Sequence, residues 1–274
     1  MGLLLNSEIN QKVDQYIQGQ VARIGGSVDQ ILNYKNCKVT DINVKDGGYG
    51  EVLTGKDTQT LAAMFQTYKK LLRQEILWVW KGNRIQRDRK TILLDMHFAL
   101  GNKTIHRKFD SSISSNVIEH SPNPVYLLLN FYFITKENGY QFHAIPNYRY
   151  TFDKFREPTK VEHLFDDFEK MTWFDDTTHN EDYIASAIEK HGWQKPFHEK
   201  YPVAYPYMHF HVFDENNVRE LAECIFEDVT VDVIRNDKFG DNLLLFRNQL
   251  NPTFIEKYSM KIEEYSKFIQ SLSH

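Results

Sequence analysis

A chain of 274 residues, 41% hydrophobic and 26% charged, has the balance of a globular domain long enough to bury a sizeable core. Its formal charge of −4 gives no global basic face for nucleic acid, and no apolar run reaches the roughly 18 residues needed to span a bilayer. Two distant cysteines, Cys37 and Cys224, argue against a disulfide framework or zinc knuckle, and Met1–Asn6 is too short for a signal peptide, so a cytoplasmic protein is expected.

Residues 6–19 read as a helix capped at Ser7, with Ile9, Val13 and Ile17 on one stripe and Gly19 as its stop. Gln20 to Ser27 is a short strand running into Gly25-Gly26-Ser27. Val28–Asn33 can start a helix, and Cys37–Asp41 is a second strand ending in a carboxylate. Such a unit lets glycine backbone approach a ligand while the acid accepts hydrogen bonds from ribose hydroxyls. Gly-Gly-Ser is also an ordinary turn, and both readings stand at this point.

Gly47–Gly50 lacks the lysine–serine pair of a phosphate loop and reads as a flexible connection. Thr60–Arg73 has helical periodicity. Ile76–Trp80 and Thr91–Asp95 are strand candidates, and the basic stretch 81–90 between them reads as a solvated loop. Asp110–Ser115 is then a strand and Pro124–Phe133 a helix entered through prolines. Gly139 turns the chain into the strand Tyr140–Ile145, which Pro146 ends.

Residues 147–215 are too long and aromatic for a simple connection, and they are expected to form a cap with helices near 160–170 and 180–190. A helix at 215–224 and two strands joined as a hairpin, Val229–Ile234 and Asn242–Arg247, follow. From Pro252, Ile255, Tyr258, Ile262, Tyr265, Ile269 and Leu272 form a short heptad seam. Packing on the parent domain is the preferred role for that seam, with a homodimer contact as the alternative. The expected organisation is a domain over 1–251, with its cap at 147–215, followed by a C-terminal amphipathic helix at 252–274. Alternation closed by a hairpin predicts an α/β fold: a Rossmann-like, doubly wound, mostly parallel seven-stranded sheet with one antiparallel strand.

Ile113-Ser-Ser-Asn-Val-Ile-Glu-His120 and Ser121-Pro-Asn-Pro124 resemble the "ASHVIEH" segment after the fourth strand of class I S-adenosylmethionine-dependent methyltransferases. Ala144-Ile-Pro-Asn-Tyr-Arg-Tyr-Thr-Phe-Asp153 with Arg156-Glu-Pro-Thr159 resembles "AVPDKRYTFD…RP". That segment belongs to a methyltransferase type 11-like bacterial subgroup associated with capsule, lipopolysaccharide and other surface-polysaccharide biosynthesis. Val21–Ser27 stands in the place of "VLEIGPS", and Leu77–Gly82 is similar to "YVWRGG".

The resemblance implies S-adenosylmethionine as cofactor, with Gly25, Gly26 and Ser27 under its amino-acid part and Asp41 on the ribose. It places Ser115, Asn116 and Val117 beside the sulfur, and Glu119 and His120 at the transfer centre. Two departures stand out: Arg23 replaces the glutamate of the first motif, and Asn147-Tyr148-Arg149-Tyr150 replaces "DKRY".

Methyl transfer needs alignment and a proton acceptor, so His120 is the first candidate base, weighed against a structural histidine. His143, inside a strand, is expected to be buried or paired. Tyr148, Arg149, Tyr150 and Arg156 are candidate acceptor contacts, each with a packing or salt-bridge alternative. His209 and His211 fall on one face of an extended segment. A metal there would need a third ligand that is not legible, so the two imidazoles are read as pocket lining and no metal is expected.

The expected activity is O-methylation of a sugar, or of a phosphorylated or nucleotide-linked precursor, in polysaccharide biosynthesis. The alternatives are a catalytically silent methyltransferase-like binding protein, which Arg23 favours, and a nicotinamide-dependent oxidoreductase, against which Asn116–His120 speaks.

Overall fold

A computed structural model describes residues 7–25, 36–43, 90–93, 96–186, 208–236 and 239–272. The expected elements at 28–33, 47–50, 60–73 and 76–80, most of the basic loop, and Gly26 and Ser27 lie outside the described residues.

Helix α1 (Ser7–Tyr16) leads into strand β1 (Gly19–Gly25), which lies between β2 (Cys37–Asn43) and β4 (Phe109–Ser115), both parallel to it. Strand β3 (Lys90–Leu93) extends the sheet beyond β2. Helix α2 (Pro124–Ile134) passes directly into β5 (Thr135–Pro146), which pairs parallel with β4. Helix α3 (Val161–Lys170) and a single turn at Asn180–Tyr183 belong to the segment after β5, and α4 (Glu215–Ile225) follows it. Strands β6 (Thr230–Asn236) and β7 (Phe239–Arg247) form the hairpin, and α5 (Pro252–Leu272) ends the chain.

The seven strands lie in the order β3-β2-β1-β4-β5-β7-β6, and β7 alone runs against the others. This is a Rossmann-like, doubly wound, mostly parallel sheet with one reversed strand. Strand order changes direction between β1 and β4, so the crevice beyond their carboxyl ends is where a ligand fits such a sheet.

Burial divides by face. Val13 of α1 and Ile17 just after it pack with Val21, Val39, Ile113 and Phe142, while Ala22, Ile24, Ile145 and α2 from Val125 to Leu129, with Phe131 and Ile134, belong to the larger cluster. β4 is an unusual central strand, because Ser112, Ser114 and Ser115 are buried where parallel strands normally carry branched aliphatics. Burying a hydroxyl costs free energy unless it is bonded. Ser112 Oγ accepts from Thr135 Oγ1 at 2.9 Å, Ser114 Oγ bonds His143 Nδ1 at 2.7 Å, and Ser115 Oγ donates to Asn116 Oδ1 at 2.9 Å.

Two local readings need correction. The fifth strand begins at Thr135, five residues before the expected start, and its register with β4 shifts between Phe109 and Ser111. Gly139 therefore lies within the strand and does not precede it. A Cβ there would stand 2.3 Å from the Asp110 carbonyl oxygen, so the glycine serves close approach of two backbones.

The tail helix packs on the domain: Phe254, Tyr258, Tyr265 and Ile269 are buried in the larger core. Tyr265 stacks on Tyr126 at 4.2 Å, and its hydroxyl donates to the Phe168 carbonyl at 2.9 Å while accepting from Asn123 Nδ2 at 2.6 Å.

Candidate functional site

At the crevice, β1 ends on Gly25, whose φ of +80° is open to glycine at little cost. A Cβ at this position would lie 2.4 Å from the Ser115 carbonyl oxygen and 2.6 Å from Val117 Cγ2. The ends of β1 and β4 thus meet with only backbone between them. Asn116 takes the left-handed conformation at φ +53°, and its N–H donates to the Ala144 carbonyl at 3.1 Å, so the chain leaves β4 in one fixed direction. Gly25, Ser115, Asn116 and Val117 are brought together as a group.

Asp41 does not end its strand as expected: β2 runs on to Asn43, with Asp41 paired inside the sheet, and its surroundings are not those of a ribose acceptor. Arg23 faces it across the β1–β2 register, with Nε donating to Oδ1 at 2.7 Å and Nη2 at 2.6 Å from the same oxygen. Both side chains are buried. The base that replaces the first-motif glutamate is therefore neutralised by the acid assigned to the ribose. Sequence spacing could not show this, because the contact is made through the sheet and not along the chain.

Past Val117, one turn of 3-10 helix (Ile118–His120) carries Glu119 and His120. The side chain of Glu119 is 1% exposed, and neither carboxylate oxygen has a hydrogen-bond partner among the described residues. Burial pushes its carboxyl up to about 7 against the opposing pull of His209. His120 Nδ1 bonds the Met208 carbonyl at 3.0 Å, so that nitrogen carries the hydrogen and Nε2 is left as a lone pair, 3.7 Å from Glu119 Oε1. Burial, with His209 adding to it, pushes the His120 imidazole down to about 3, so it is neutral at pH 7.

The segment 208–214 closes over this turn: the Phe210 N–H donates to the Glu119 carbonyl at 2.9 Å. His209 packs edge-on against His120 with ring centres 4.8 Å apart, and its Nδ1 meets Asp153 Oδ2 at 2.5 Å. Asp153, an acid close in sequence to Arg149 and Arg156, pairs with Arg156 and also orients His209. Burial raises its carboxyl, but the hydrogen bond and charge of His209 and the charge of Arg156 more than offset this and hold it low. The signal available in the sequence was the Thr151–Asp153–Arg156 spacing, which places Thr151 Oγ1 at 3.0 Å from Asp153 Oδ2 and Arg156 Nη1 at 2.9 Å from Oδ1.

Arg156 is committed to structure. Its guanidinium uses four of five N–H groups, on Asp182 at 2.5 Å, Asp153, and the carbonyls of His209 and Phe210 at 2.7 and 3.1 Å. It ties the cap to the segment 208–214 and is not exposed as an acceptor contact. Tyr148, Arg149 and Tyr150 form a separate 3-10 turn, and Arg149 and Tyr150 line a cleft of about 300 Å³ with Asn147, Glu215 and Val233. Arg149 pairs with Glu215 at 2.8 Å and covers the Tyr148 ring at 4.9 Å. Asn147, where the family segment has aspartate, donates to Glu215 and Asn242 at 3.0 Å each.

His209 and His211 do not share a pocket. The chain bends at Phe210 and His211, which sends His211 to Asp167 of α3, Nε2 to Oδ2 at 3.0 Å. His143 is buried, bonded to Ser114 and to Gln141 at 3.0 Å, and pushed by burial down to about 3. It is a neutral structural histidine. Among the described residues no helix is long and apolar enough to cross a membrane.

No protein-family model and no curated protein matches the chain. Solved structures with a similar arrangement include a SAM-dependent methyltransferase from Methanosarcina mazei, 12% identical over 90% of this chain and 99% of that one, with a TM-score of 0.46. An O-methyltransferase family protein from Burkholderia thailandensis is 7% identical over 88% and 55% of the two chains, with a TM-score of 0.42. The CurJ carbon methyltransferase is 11% identical over 84% of this chain and 48% of that one, with a TM-score of 0.41, so this chain spans about half of its length. Identities and scores this low describe a shared arrangement of strands and leave function to the site itself.

Proposed function

We propose that the chain is an S-adenosylmethionine-dependent methyltransferase acting on an oxygen of a sugar, or of a phosphorylated or nucleotide-linked precursor of a surface polysaccharide. One observation carries the reading. The crevice where strand order reverses is walled by Gly25, Ser115, Asn116 and Val117, and a buried carboxyl without a hydrogen-bond partner among the described residues, Glu119, stands one turn beyond. Gly25, with backbone open to close approach, suits the amino-acid part of the cofactor, and the Arg23–Asp41 pair is the departure at the ribose end. When bound, S-adenosylmethionine supplies a methyl group on a sulfonium, which leaves by in-line displacement.

The chain's own residues have three tasks in this reading. The ends of β1 and β4 align the reactants, which is the larger part of the work in such a displacement. Glu119, poised near neutral pH, takes the acceptor's proton on its carboxylate, where a base is most efficient. His120 and His209 close the site, each held in one orientation by a bond at Nδ1. Arg149 and Tyr150 in the neighbouring cleft, and Tyr148 of the same turn, are the acceptor contacts, with Arg149 suited to a phosphate.

The Arg23–Asp41 pair favours a second reading, a methyltransferase-like fold that binds a partner without catalysis, in which the outer face of the tail helix, with Ile255 and Met260 exposed, serves assembly. Calorimetric titration with S-adenosylmethionine separates the two. Saturable binding of one cofactor per chain supports the enzyme, and no heat at millimolar cofactor sinks it. A panel of nucleotide-linked and phosphorylated sugars then tests the acceptor class by methyl incorporation.

A further inference from the structure

A second histidine cluster stands apart from the crevice and has no part in the proposed transfer. His163 and Asp167 project from one face of α3, four residues apart. His179 precedes the turn at Asn180–Tyr183, and His211 comes from the segment 208–214. Their ligand atoms all lie within 4.8 Å of one another. His163 Nε2 is 3.3 Å from His179 Nε2 and 3.3 Å from Asp167 Oδ2, and His211 Nε2 is 3.0 Å from that same oxygen. Around a metal 2.0–2.1 Å from its ligands, tetrahedral neighbours are separated by about 3.3 Å.

The arrangement brings lone-pair atoms together around the point where a cation would sit. His211 Nδ1 faces the Ser121 carbonyl at 3.2 Å and must carry the hydrogen there, because a carbonyl only accepts. Its Nε2 is then a lone pair directed at a carboxylate, and two acceptors 3.0 Å apart repel unless something positive lies between them. A proton on that nitrogen would answer Asp167 as an ion pair, whereas a metal ion would answer all four ligand atoms at once.

The outer contacts are also those of a ligand set. Asp167 Oδ1 accepts from Thr172 Oγ1 at 2.8 Å, and the Ser121 carbonyl fixes the His211 ring, which is how bound histidines and carboxylates are usually braced. His163, with 42% of its side chain exposed, leaves a route in from solvent.

We propose that His163, Asp167, His179 and His211 bind one divalent transition-metal ion, zinc by preference, as a four-coordinate structural site. Three nitrogens and one carboxylate oxygen suit zinc, and a closed set of four protein ligands is the structural form of such a site. The ion joins three segments of the cap region, α3, the stretch before Asn180 and the strap at 208–214. Because His209 is two residues from His211, the ion also fixes the strap that closes over Glu119.

The test uses the full chain, purified without a polyhistidine tag and stripped with a chelator, then titrated with Co²⁺ and competed with Zn²⁺. One Co²⁺ per chain, with the intense visible bands of a tetrahedral site and displaced by Zn²⁺, is the expected result. His163→Ala and His179→Ala each should weaken binding by about 100-fold or more, since outer-contact changes alone cost about 10–100-fold. Circular dichroism on each variant confirms folding, and His163 is exposed enough to be replaced safely. Glu119→Gln should leave Co²⁺ binding unchanged, which separates this site from the Glu119, His120 and His209 group. No uptake of Co²⁺ or Zn²⁺ by the wild-type chain overturns the proposal, and so does uptake that both histidine variants retain or that Glu119→Gln removes.

Discussion

His209 and His211 are two residues apart and end in clusters that balance charge in opposite ways. Around His209 there are two buried carboxylates, Glu119 and Asp153, and a buried guanidinium, Arg156, that answers one of them. The other acid has no such partner, and burial leaves it with a carboxyl near 7. Around His211 two carboxylates, Asp167 and, 3.9 Å from His179, Asp176, face three imidazoles. The first cluster has an excess of acid and answers it by holding a proton. The second has an excess of lone pairs and suits a metal ion. A histidine's role is thus set by whether its neighbours donate or accept, which two positions along the chain are enough to reverse.

The largest expected effect tests how the first cluster is held. Asp153→Ala leaves Arg156 buried with only the partly exposed Asp182 as an acid partner, and should cost about 3–5 kcal/mol in urea unfolding. A loss under about 1 kcal/mol would mean that Asp182 alone satisfies the guanidinium.

Glu119→Gln should act in the opposite direction. The folded carboxyl lies near 7 against an ordinary 4.5, so between these values the native state holds a proton that the unfolded chain has lost. Stability contributed by this group falls as pH rises through that window, by up to about 3 kcal/mol. Unfolding series from pH 4.5 to 8 should show the variant gaining on the wild type as pH rises. Parallel curves would remove Glu119 as the titrating group.

Smaller effects belong to the second cluster and its supports. Thr172→Val deprives Asp167 Oδ1 of its donor and should cost about 1.5 kcal/mol in the metal-free chain, read by thermal unfolding. Tyr265→Phe removes the hydroxyl that joins the tail helix to Phe168 and Asn123, for about 1 kcal/mol. Arg149→Ala, at an exposed pair with Glu215, should change stability by less than about 1 kcal/mol while weakening any phosphorylated acceptor.

Much of the fold was legible because its signals are local. The stripe of the first helix, the prolines before α2 and the alternation of strands are set by neighbours a few residues away, and the reversed β7 follows from the hairpin pattern. The start of β5 was misplaced because Gly139 reads as a turn in sequence, while its cause is the nearness of Asp110 on another strand.

Among the described residues, the sequence by itself determined the order of elements and where β1 and β4 end. Only the tertiary structure decided that Arg23 takes Asp41 across the sheet, that Asp153 orients His209, and that His211 joins residues 32, 44 and 48 positions earlier. Those contacts depend on which strands and segments lie side by side. Pairings of charge are made through space, and residue spacing along the chain does not carry them.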